Sequence, residues 1–459
     1  MKSQTTLPPL DEQPAIGLPV RPGELPCPLR EIVNNAPEGM LLQYFMASLS
    51  PLCALLPRVR LRYYYDGRPS ALLLQVIVVG PQSSGKSFVS IIEDLIMGPT
   101  LKEHDKNERQ TEQAYRERRR CRKANERLEP EPLTIIRLIP PTISKTMLVK
   151  RSDHHVRKYG CTLTFFMFSD ELAQMVDAGK SGYSNLRTIL RNSFDLGATF
   201  GIDFVSAESY SAIVDINMCT LFCATPSALN RYMDDDSIEG GNITRCTLCM
   251  MPDQLGADGN RFRPYTEEQL SRINATLQRM MEDTFKPDGT LQPEKYLDMQ
   301  WIDSTVADWC RAKGHEALLQ GYTALDVFRK RASVNAYRMT ALCYYLYQLQ
   351  GTAESKARRC CKKLYTFLAE YCLHTLLEMW GERFEEIHKK SSRRQKQVRF
   401  PGIYALLPER FSRQMLYDLV EASNLCTSGR KFLYLWTKSG DIEPVENDLY
   451  RKTHKTDAK

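Results

Sequence analysis

The chain has 459 residues, a formal net charge of +7 and 42% hydrophobic residues. This length supports two to four domains with large apolar cores and excludes a small protein held together mainly by disulfides. The 14 cysteines follow no regular spacing and the amino terminus has no basic-then-apolar leader, so we expect free thiols and a cytoplasmic location. No apolar run reaches the length of a bilayer, so we expect no membrane partner, whereas the positive charge permits a nucleic-acid partner.

The amino-terminal region is rich in proline, and residues 1–25 are predicted to form an extended arm. Residues 26–70 are predicted to form bracing elements. Within them, Ala36–Leu56 has apolar residues at helical spacing, and Val59–Tyr65 has the composition of a strand.

The most specific motif is a loop that directly follows the apolar run Leu72–Val79. It fits G-x-x-x-x-G-K-[ST] and consists of Gly80, Pro81, Gln82, Ser83, Ser84, Gly85, Lys86 and Ser87. A buried strand, a glycine-containing loop and a helix start together direct backbone N–H groups at nucleotide phosphates. The motif therefore predicts binding of ATP or GTP with Mg²⁺, in preference to a glycine-rich turn without a ligand.

Residues 102–129 carry charges of both signs with few apolar residues, and they are predicted to form a helical insertion. Two interpretations fit this pattern. We favour an exposed helix stabilised by spaced opposite charges over a contact with DNA. A second strand is predicted over Leu133–Leu138, and it ends before Pro140 and Pro141.

The apolar run Thr162–Phe168 is typical of a central parallel strand, and Asp170 and Glu171 follow its end. Lys86 is predicted to contact the β- and γ-phosphates of the nucleotide. Ser87 and Asp170 are predicted to bind Mg²⁺, and Glu171 to act as the general base that activates water. Without the upstream loop, the two carboxylates would be interpreted as caps of the next helix.

Further strands are predicted over Asn217–Ala224 and Thr244–Met251. Thr225 is a candidate sensor of the γ-phosphate or a turn residue before a proline. Arg245 is a candidate finger that reaches a neighbouring subunit's nucleotide, or an exposed ion-pair residue. Arg338, in a predicted amphipathic helix, is a candidate second sensor, although other basic residues close by could serve instead.

The carboxyl-terminal region is predicted to form two helices joined by a turn, followed by a hairpin. The helices are Ser412–Ser423 and Ser428–Ser439, and the hairpin is Ile442–Tyr450. This order predicts a winged-helix module, which can place its second helix in the major groove of DNA. Phosphate contacts would come from the basic residues of the module, which are Arg430, Lys431, Lys438, Arg451 and Lys452. Winged helices also bind proteins, so both partners stay open.

The predicted fold class is α/β: a P-loop NTPase with a parallel sheet and helices on both faces, followed by a helical lid and a winged helix. After the arm (1–25) and the bracing elements (26–70), the predicted domains are the ATPase core (71–255), the lid (256–395) and the winged helix (396–459).

With these motifs in this order, the chain resembles helicase-like P-loop ATPases of unassigned function from bacterial mobile genetic elements, which occur alone or fused to primase-like domains. The landmarks are Leu25–Arg30, Gly80–Ser87, Phe168–Glu171, Ala224–Pro226, Gly240–Arg245, the helix with Arg338 and the hairpin ending at Lys452. The order is similar to that of AAA+-like and superfamily III replicative helicases.

This resemblance implies a homo-oligomer in which ATP, rather than GTP, is hydrolysed at subunit interfaces to move along single-stranded DNA during replication or mobilisation. Any priming would need a primase partner, since no primase-like domain accompanies this chain. Ser181–Tyr183 is the candidate pore loop that would grip the strand, although a simple surface loop is the favoured interpretation of this segment. Two rivals remain: a nucleotide-switched initiator that binds duplex DNA, and a remodeller of another protein complex.

Overall fold

The protein is described from a computed structural model, which covers residues 17–121, 129–172, 186–203, 210–253, 263–392, 400–423, 428–446 and 448–453. The chain divides into two compact units. The larger unit includes Ala15–Val306 and Ala332–Thr375, and the smaller unit includes Ala307–Arg331 and Leu376–Lys459.

The strands are numbered in chain order. They are β1 (Val59–Arg62), β2 (Pro69–Ala71), β3 (Gln75–Val79), β4 (Leu138–Ile139), β5 (Phe165–Ser169), β6 (Thr199–Ile202), β7 (Ala212–Asp215), β8 (Met218–Ala224), β9 (Cys246–Met250), β10 (Lys295–Tyr296), β11 (Arg410–Ser412), β12 (Ile442–Glu446) and β13 (Leu449–Lys452).

The helices are numbered in the same way. They are α1 (Leu29–Asn34), α2 (Leu41–Ala54), α3 (Phe88–Met97), α4 (Glu103–Cys121), α5 (Lys145–Tyr159), α6 (Leu186–Asn192), α7 (Pro226–Tyr232), α8 (Asp235–Glu239), α9 (Glu267–Glu282), α10 (Asp303–Gln320), α11 (Thr323–Leu349), α12 (Glu354–Ser392), α13 (Pro401–Leu406), α14 (Arg413–Ala422) and α15 (Gly429–Ser439). None of the described helices combines the length and apolarity needed to cross a bilayer.

The larger unit is built around a five-stranded sheet with the order β4-β5-β8-β3-β9, in which all neighbouring strands are parallel. Every residue of β3 and β8 is buried, as expected for apolar strands covered on both faces. Helix α2 packs against β3, β8 and β9. The predicted α/β class with a parallel sheet flanked by helices is therefore confirmed.

Helix α4, which we predicted to be exposed, covers the β4 edge of this sheet. Asp105 is 2% exposed, and its carboxylate accepts hydrogen bonds from the backbone N–H groups of Arg137 (2.9 Å) and Leu138 (2.6 Å). The Glu108 carboxylate accepts a third from Ile135 N (3.0 Å). These carboxylates occupy donors that strand pairing would use, so β4 is shorter than predicted. The expectation of a fully solvated helix is wrong for this face.

Two small sheets of the larger unit were not predicted in full. Strands β6 and β7 form an antiparallel hairpin just before β8. Strand β1, predicted from its composition, pairs with β2 and also runs parallel to the distant β10. Residues 1–16 of the predicted arm lie outside the described residues. In the rest of the arm Pro22–Glu24 forms a 3₁₀ helix, Leu25 is buried, and Tyr347 Oη donates to Glu24 O at 2.8 Å. Just after the arm, Gln350 Nε2 donates to Cys27 O at 2.7 Å.

The carboxyl-terminal part of the smaller unit has an antiparallel sheet with the order β11-β13-β12 beside α14 and α15. Its core is apolar and includes Ile403, Tyr404, Phe411, Leu416, Phe432 and Trp436. The two predicted helices and the strands of the predicted hairpin are confirmed, although Asn447 in the turn lies outside the described residues. Strand β11 was missed because it has only three residues.

Candidate nucleotide-binding site

The predicted phosphate loop connects the carboxyl end of β3 to α3. Ser83 and Gly85 adopt left-handed backbone conformations with φ of 60° and 76°, which curl the loop back on itself. A Cβ atom at Gly80 would lie 2.6 Å from Met251 Cγ and 2.7 Å from Ser84 Oγ. Only glycine therefore fits at Gly80 without a shift of its neighbours.

Lys86 lies across this loop. Its ammonium group donates hydrogen bonds to the backbone oxygens of Gly80 (2.8 Å) and Pro81 and lies 3.3 Å from Ser84 Oγ. Partial burial lowers the pKa of Lys86. A phosphate entering the loop would offer oxygen acceptors of full negative charge in place of these carbonyls, and charge-assisted hydrogen bonds are the stronger kind.

The amino end of α3 opens toward the loop. Ser87 is the N-cap residue, but its side chain does not cap the helix and makes no hydrogen bond within the described part of the chain. Uncapped N–H groups and the positive end of the helix dipole favour an anion at this position. The Ser87 hydroxyl stays available as an oxygen ligand.

The sheet register brings three predicted groups to one edge. Val79 is opposite Ala224, and Gly80 N donates to Ala224 O at 3.1 Å, so the loop lies beside the start of α7. On the other side of β8, Ser169 is opposite Phe222. Since the carboxyl ends of β3, β8 and β5 are neighbours, Lys86, Thr225 and Asp170 all follow the same edge of the sheet. Ligands of open parallel sheets bind at this edge.

Asp170 and Glu171 are both exposed at this edge. Ser169 Oγ donates to Glu171 O at 2.9 Å, and Leu172 N donates to Cys223 O at 2.8 Å, which fixes the backbone of the turn. Their carboxylates accept no hydrogen bond from the described residues. The helix that they would cap in the alternative interpretation falls in 173–185, outside the described residues.

Cys223 is the second-to-last residue of β8, the strand between β3 and β5. Burial raises the pKa of its thiol to about 12, with Lys86 acting to lower it and Asp170 to raise it. Both charges therefore act at the same strand end. The donor set of Ser87 hydroxyl and Asp170 carboxylate consists of hard oxygen ligands and fits Mg²⁺ completed by phosphate oxygens and water. Among the described residues, no cluster of three or more His, Cys, Asp or Glu side chains forms a metal site by itself.

Thr225 is the N-cap residue of α7. Its Oγ1 accepts a hydrogen bond from Ala228 N at 3.2 Å and lies 3.1 Å from Ser227 Oγ. These contacts are those of the turn interpretation. They leave the hydroxyl at the edge that carries Lys86, so the sensor role stays a prediction.

Arg245 lies at the opposite, amino-terminal edge. It precedes β9, where Cys246 is opposite Gln75, whereas the loop follows the pair of Val79 and Met250, about 13 Å further along the strands. Its Nη1 donates to Gly241 O at 2.9 Å. Arg245 is thus not brought together with the loop of its own chain.

Arg338 also lies at the amino-terminal edge. It is 2% exposed, and Nη1 donates to the carbonyls of Leu73 (3.0 Å) and Phe194 (2.8 Å). Nη2 donates to Ser70 Oγ at 3.1 Å and lies 3.2 Å from Asp195 Oδ1. Leu73 precedes β3, so Arg338 is roughly 20 Å of strand away from the loop.

Sequence reasoning missed the residues that anchor the carboxyl end of β9 next to the loop. Met250 N donates to Tyr371 Oη at 2.9 Å, and Gln43 Nε2 donates to Met250 O at 2.8 Å. These partners are far apart in the chain, so no local signal points to them. The predicted grip Ser181–Tyr183 lies outside the described residues.

Compared with known proteins, the chain matches no family model and has no significant match among curated proteins.

Proposed function

We propose that this chain is a Mg²⁺-dependent ATPase that works as a DNA helicase or translocase. The observation that carries the proposal is the loop Gly80–Ser87, closed by Lys86 and placed at the sheet edge that Asp170 and Glu171 also follow. Motor activity, and service to a mobile genetic element, rest on the resemblance described above.

In this proposal the loop N–H groups and Lys86 hold the β- and γ-phosphates of ATP, and Ser87 and Asp170 hold Mg²⁺. The metal would neutralise charge on the phosphate oxygens as the γ-phosphoryl group leaves. Glu171 orients water and accepts its proton, a role that its exposure at the site edge permits.

Arg245 acts in trans in this proposal. Because it lies at the amino-terminal edge of the sheet, its guanidinium can serve only the nucleotide of another copy. A planar bidentate donor suits the charge that develops on the transferred phosphoryl group. The active form would then be a homo-oligomer with composite sites.

A second candidate function is a nucleotide-switched initiator that binds duplex DNA. It is favoured by helix α15, whose exposed face combines Arg430, Lys431, Tyr434 and Lys438. Helix α15 would form the winged helix together with β11, α14 and the β12–β13 hairpin. It would then enter the major groove of the duplex. The lid of this proposal is the helical region 256–395.

The test is steady-state ATP hydrolysis with no nucleic acid, with single-stranded DNA and with duplex DNA. Lys86→Ala should lower turnover by about 10³-fold, because the only cation of the loop is lost. Lys106→Ala, an exposed lysine on α4, is the matched control and should hydrolyse ATP normally. Stimulation by single-stranded DNA favours the motor, and tight duplex binding without stimulation favours the initiator. Equal turnover by the wild type and Lys86→Ala would refute the site.

A further inference from the structure

The sheet β10-β1-β2 presents an arginine over an exposed tyrosine ring. Arg60 of β1 is opposite Tyr296 of β10, so Arg62, two residues on, projects from the same face. The Arg62 guanidinium carbon lies 5.2 Å from the centre of the Tyr296 ring. Tyr296 is 49% exposed, which leaves much of its ring open to solvent.

A ladder of three tyrosines follows β1 and ends in solvent. Tyr63 is the anchor: its hydroxyl lies 2.6 Å from Ser333 Oγ, and its ring meets Tyr337 edge-on at 5.2 Å. Tyr64 packs edge-on against Tyr63 at 5.0 Å, and Tyr65 lies 6.2 Å beyond Tyr64. Tyr65 is 81% exposed. A single exposed tyrosine is unremarkable, but here an anchored ladder limits the positions of an exposed ring.

Two acidic side chains of this region are engaged. Glu294 lies 2.8 Å from the guanidinium of Arg60 and 3.7 Å from that of Arg58. The Asp66 carboxylate accepts the backbone N–H of Arg68 at 3.1 Å. By contrast, the exposed Arg68 side chain makes no hydrogen bond or ion pair with the described residues. The Arg62 guanidinium donates one hydrogen bond to Gly67 O at 2.9 Å. The surface therefore offers two guanidinium groups beside exposed rings.

We propose that this tyrosine–arginine surface, made of Arg62, Tyr65, Arg68 and Tyr296, binds single-stranded DNA. The two rings stack on unpaired bases, and the two guanidiniums contact the backbone phosphates. A duplex hides its base faces, so it cannot use the rings in this way. The inference deepens the proposed function and rests on it, because it names where a motor's single-stranded partner touches the chain.

The test is fluorescence anisotropy with a labelled oligothymidine, without nucleotide, at several salt concentrations. The double variant Tyr65→Ala/Tyr296→Ala should bind at least about tenfold more weakly, since stacking contributes to the affinity at each base. The matched variant Tyr65→Phe/Tyr296→Phe keeps both rings and should bind within about twofold of the wild type. Arg68→Ala should flatten the salt dependence. Equal thermal melting of all variants would exclude unfolding as the cause.

The outcomes separate this inference from the proposed function. Undiminished binding by the Ala variant overturns the inference, as does equal loss in the Phe and Ala variants. If the wild type binds no oligothymidine yet hydrolyses ATP through Lys86, the inference falls and the ATPase stands. If light scattering finds a dimer that only the Ala variant loses, the surface joins two copies and the inference is wrong. Ring-dependent binding without Lys86-dependent hydrolysis supports the inference and refutes the proposed ATPase activity. An oligouridine that binds more tightly than the oligothymidine would assign the surface to RNA and overturn the inference.

Discussion

The two edges of the central sheet treat charged side chains differently. At the carboxyl-terminal edge, the carboxylates of Asp170 and Glu171 are exposed and accept no hydrogen bond from the described residues, and Lys86 is held only by loop atoms. At the amino-terminal edge, Arg137 and Arg338 are buried against backbone carbonyls. The first arrangement leaves exposed charged groups that a ligand can reach, whereas the second holds its arginines in the protein interior.

The surroundings of these side chains separate candidate sites from structural charges. Arg137 is fully buried, and burial lowers its pKa to about 10. A large pKa shift alone would mark it as functional. Its partners, which include Thr164 O at 2.9 Å and Ala54 O, are instead the backbone at the starts of strands and ends of helices. Exposure of a charged group at the carboxyl end of a strand is the better indicator here.

The largest effect is expected from Glu171 at the carboxyl-terminal edge. Glu171→Gln should lower ATP turnover by about 10²–10⁴-fold, because the amide cannot accept the proton of the attacking water. Nucleotide affinity and the melting temperature should stay near wild type, since the side chain is exposed. Turnover measured beside calorimetric ATP binding checks both statements.

Mixtures of the Glu171→Gln variant with a second variant test whether Arg245 acts across a subunit interface. An equimolar mixture of Glu171→Gln and Arg245→Ala subunits should regain partial turnover, because some interfaces pair an intact Glu171 with an intact Arg245. The matched control, Glu171→Gln mixed with Lys86→Ala, contains no complete site and should stay inactive. Recovery in neither mixture would remove Arg245 from the mechanism.

At the amino-terminal edge, the expected effect is on stability. Arg338→Met should destabilise the fold by about 3 kcal/mol, because the carbonyls of Leu73 and Phe194 lose their donors. Turnover per folded molecule should change little. Denaturant unfolding and the nucleotide-binding assay measure the two quantities. A selective loss of nucleotide affinity without destabilisation would return Arg338 to the sensor role predicted from sequence.

Local sequence patterns predicted the elements that depend on neighbouring residues. The loop Gly80–Ser87, the strands β3, β5, β8 and β9, and the helices α14 and α15 follow from runs, spacings and turn residues within each segment. The candidate site could be predicted from sequence for the same reason. Lys86 belongs to the loop that follows β3, and Asp170 and Thr225 directly follow β5 and β8.

Long-range contacts could not be predicted from local sequence patterns. The length of β4 depends on Asp105 and Glu108, which belong to another element, and the surroundings of Arg338 depend on Leu73 and Phe194. An arginine in a predicted helix has the same sequence pattern whether its partners are backbone carbonyls or a nucleotide.

A smaller, pH-dependent effect is expected from His155, which is fully buried and stacks on Phe165 at 4.8 Å. Burial, reinforced by Arg137, lowers its pKa to about 3. The unfolded chain takes up this proton near pH 6.5 and the folded chain only near pH 3, so stability is full above about pH 6.5 and falls as the pH drops through that window.

His155→Gln should flatten the decline of melting temperature between about pH 6.5 and 4, because the side chain can no longer be protonated. His315→Gln, at an exposed position, is the matched control and should follow the wild type. Acidic groups contribute to both curves, so the difference between them isolates His155. Parallel curves for wild type and His155→Gln would mean that this site does not set the acid sensitivity.

The smallest and most local effect returns to the phosphate loop. Gly80→Ala should weaken binding of a fluorescent ATP analogue by about tenfold, because the added methyl group meets Met251 and Ser84 and must displace the loop. The double variant Gly80→Ala/Met251→Ala should recover part of that affinity, whereas Met251→Ala alone should bind nearly as the wild type. Such coupling would tie the carboxyl end of β9 to the loop and make this edge a single preorganised unit. Additive effects would instead mean that the loop adjusts independently of Met251, and its closed shape would then not be what holds the phosphates.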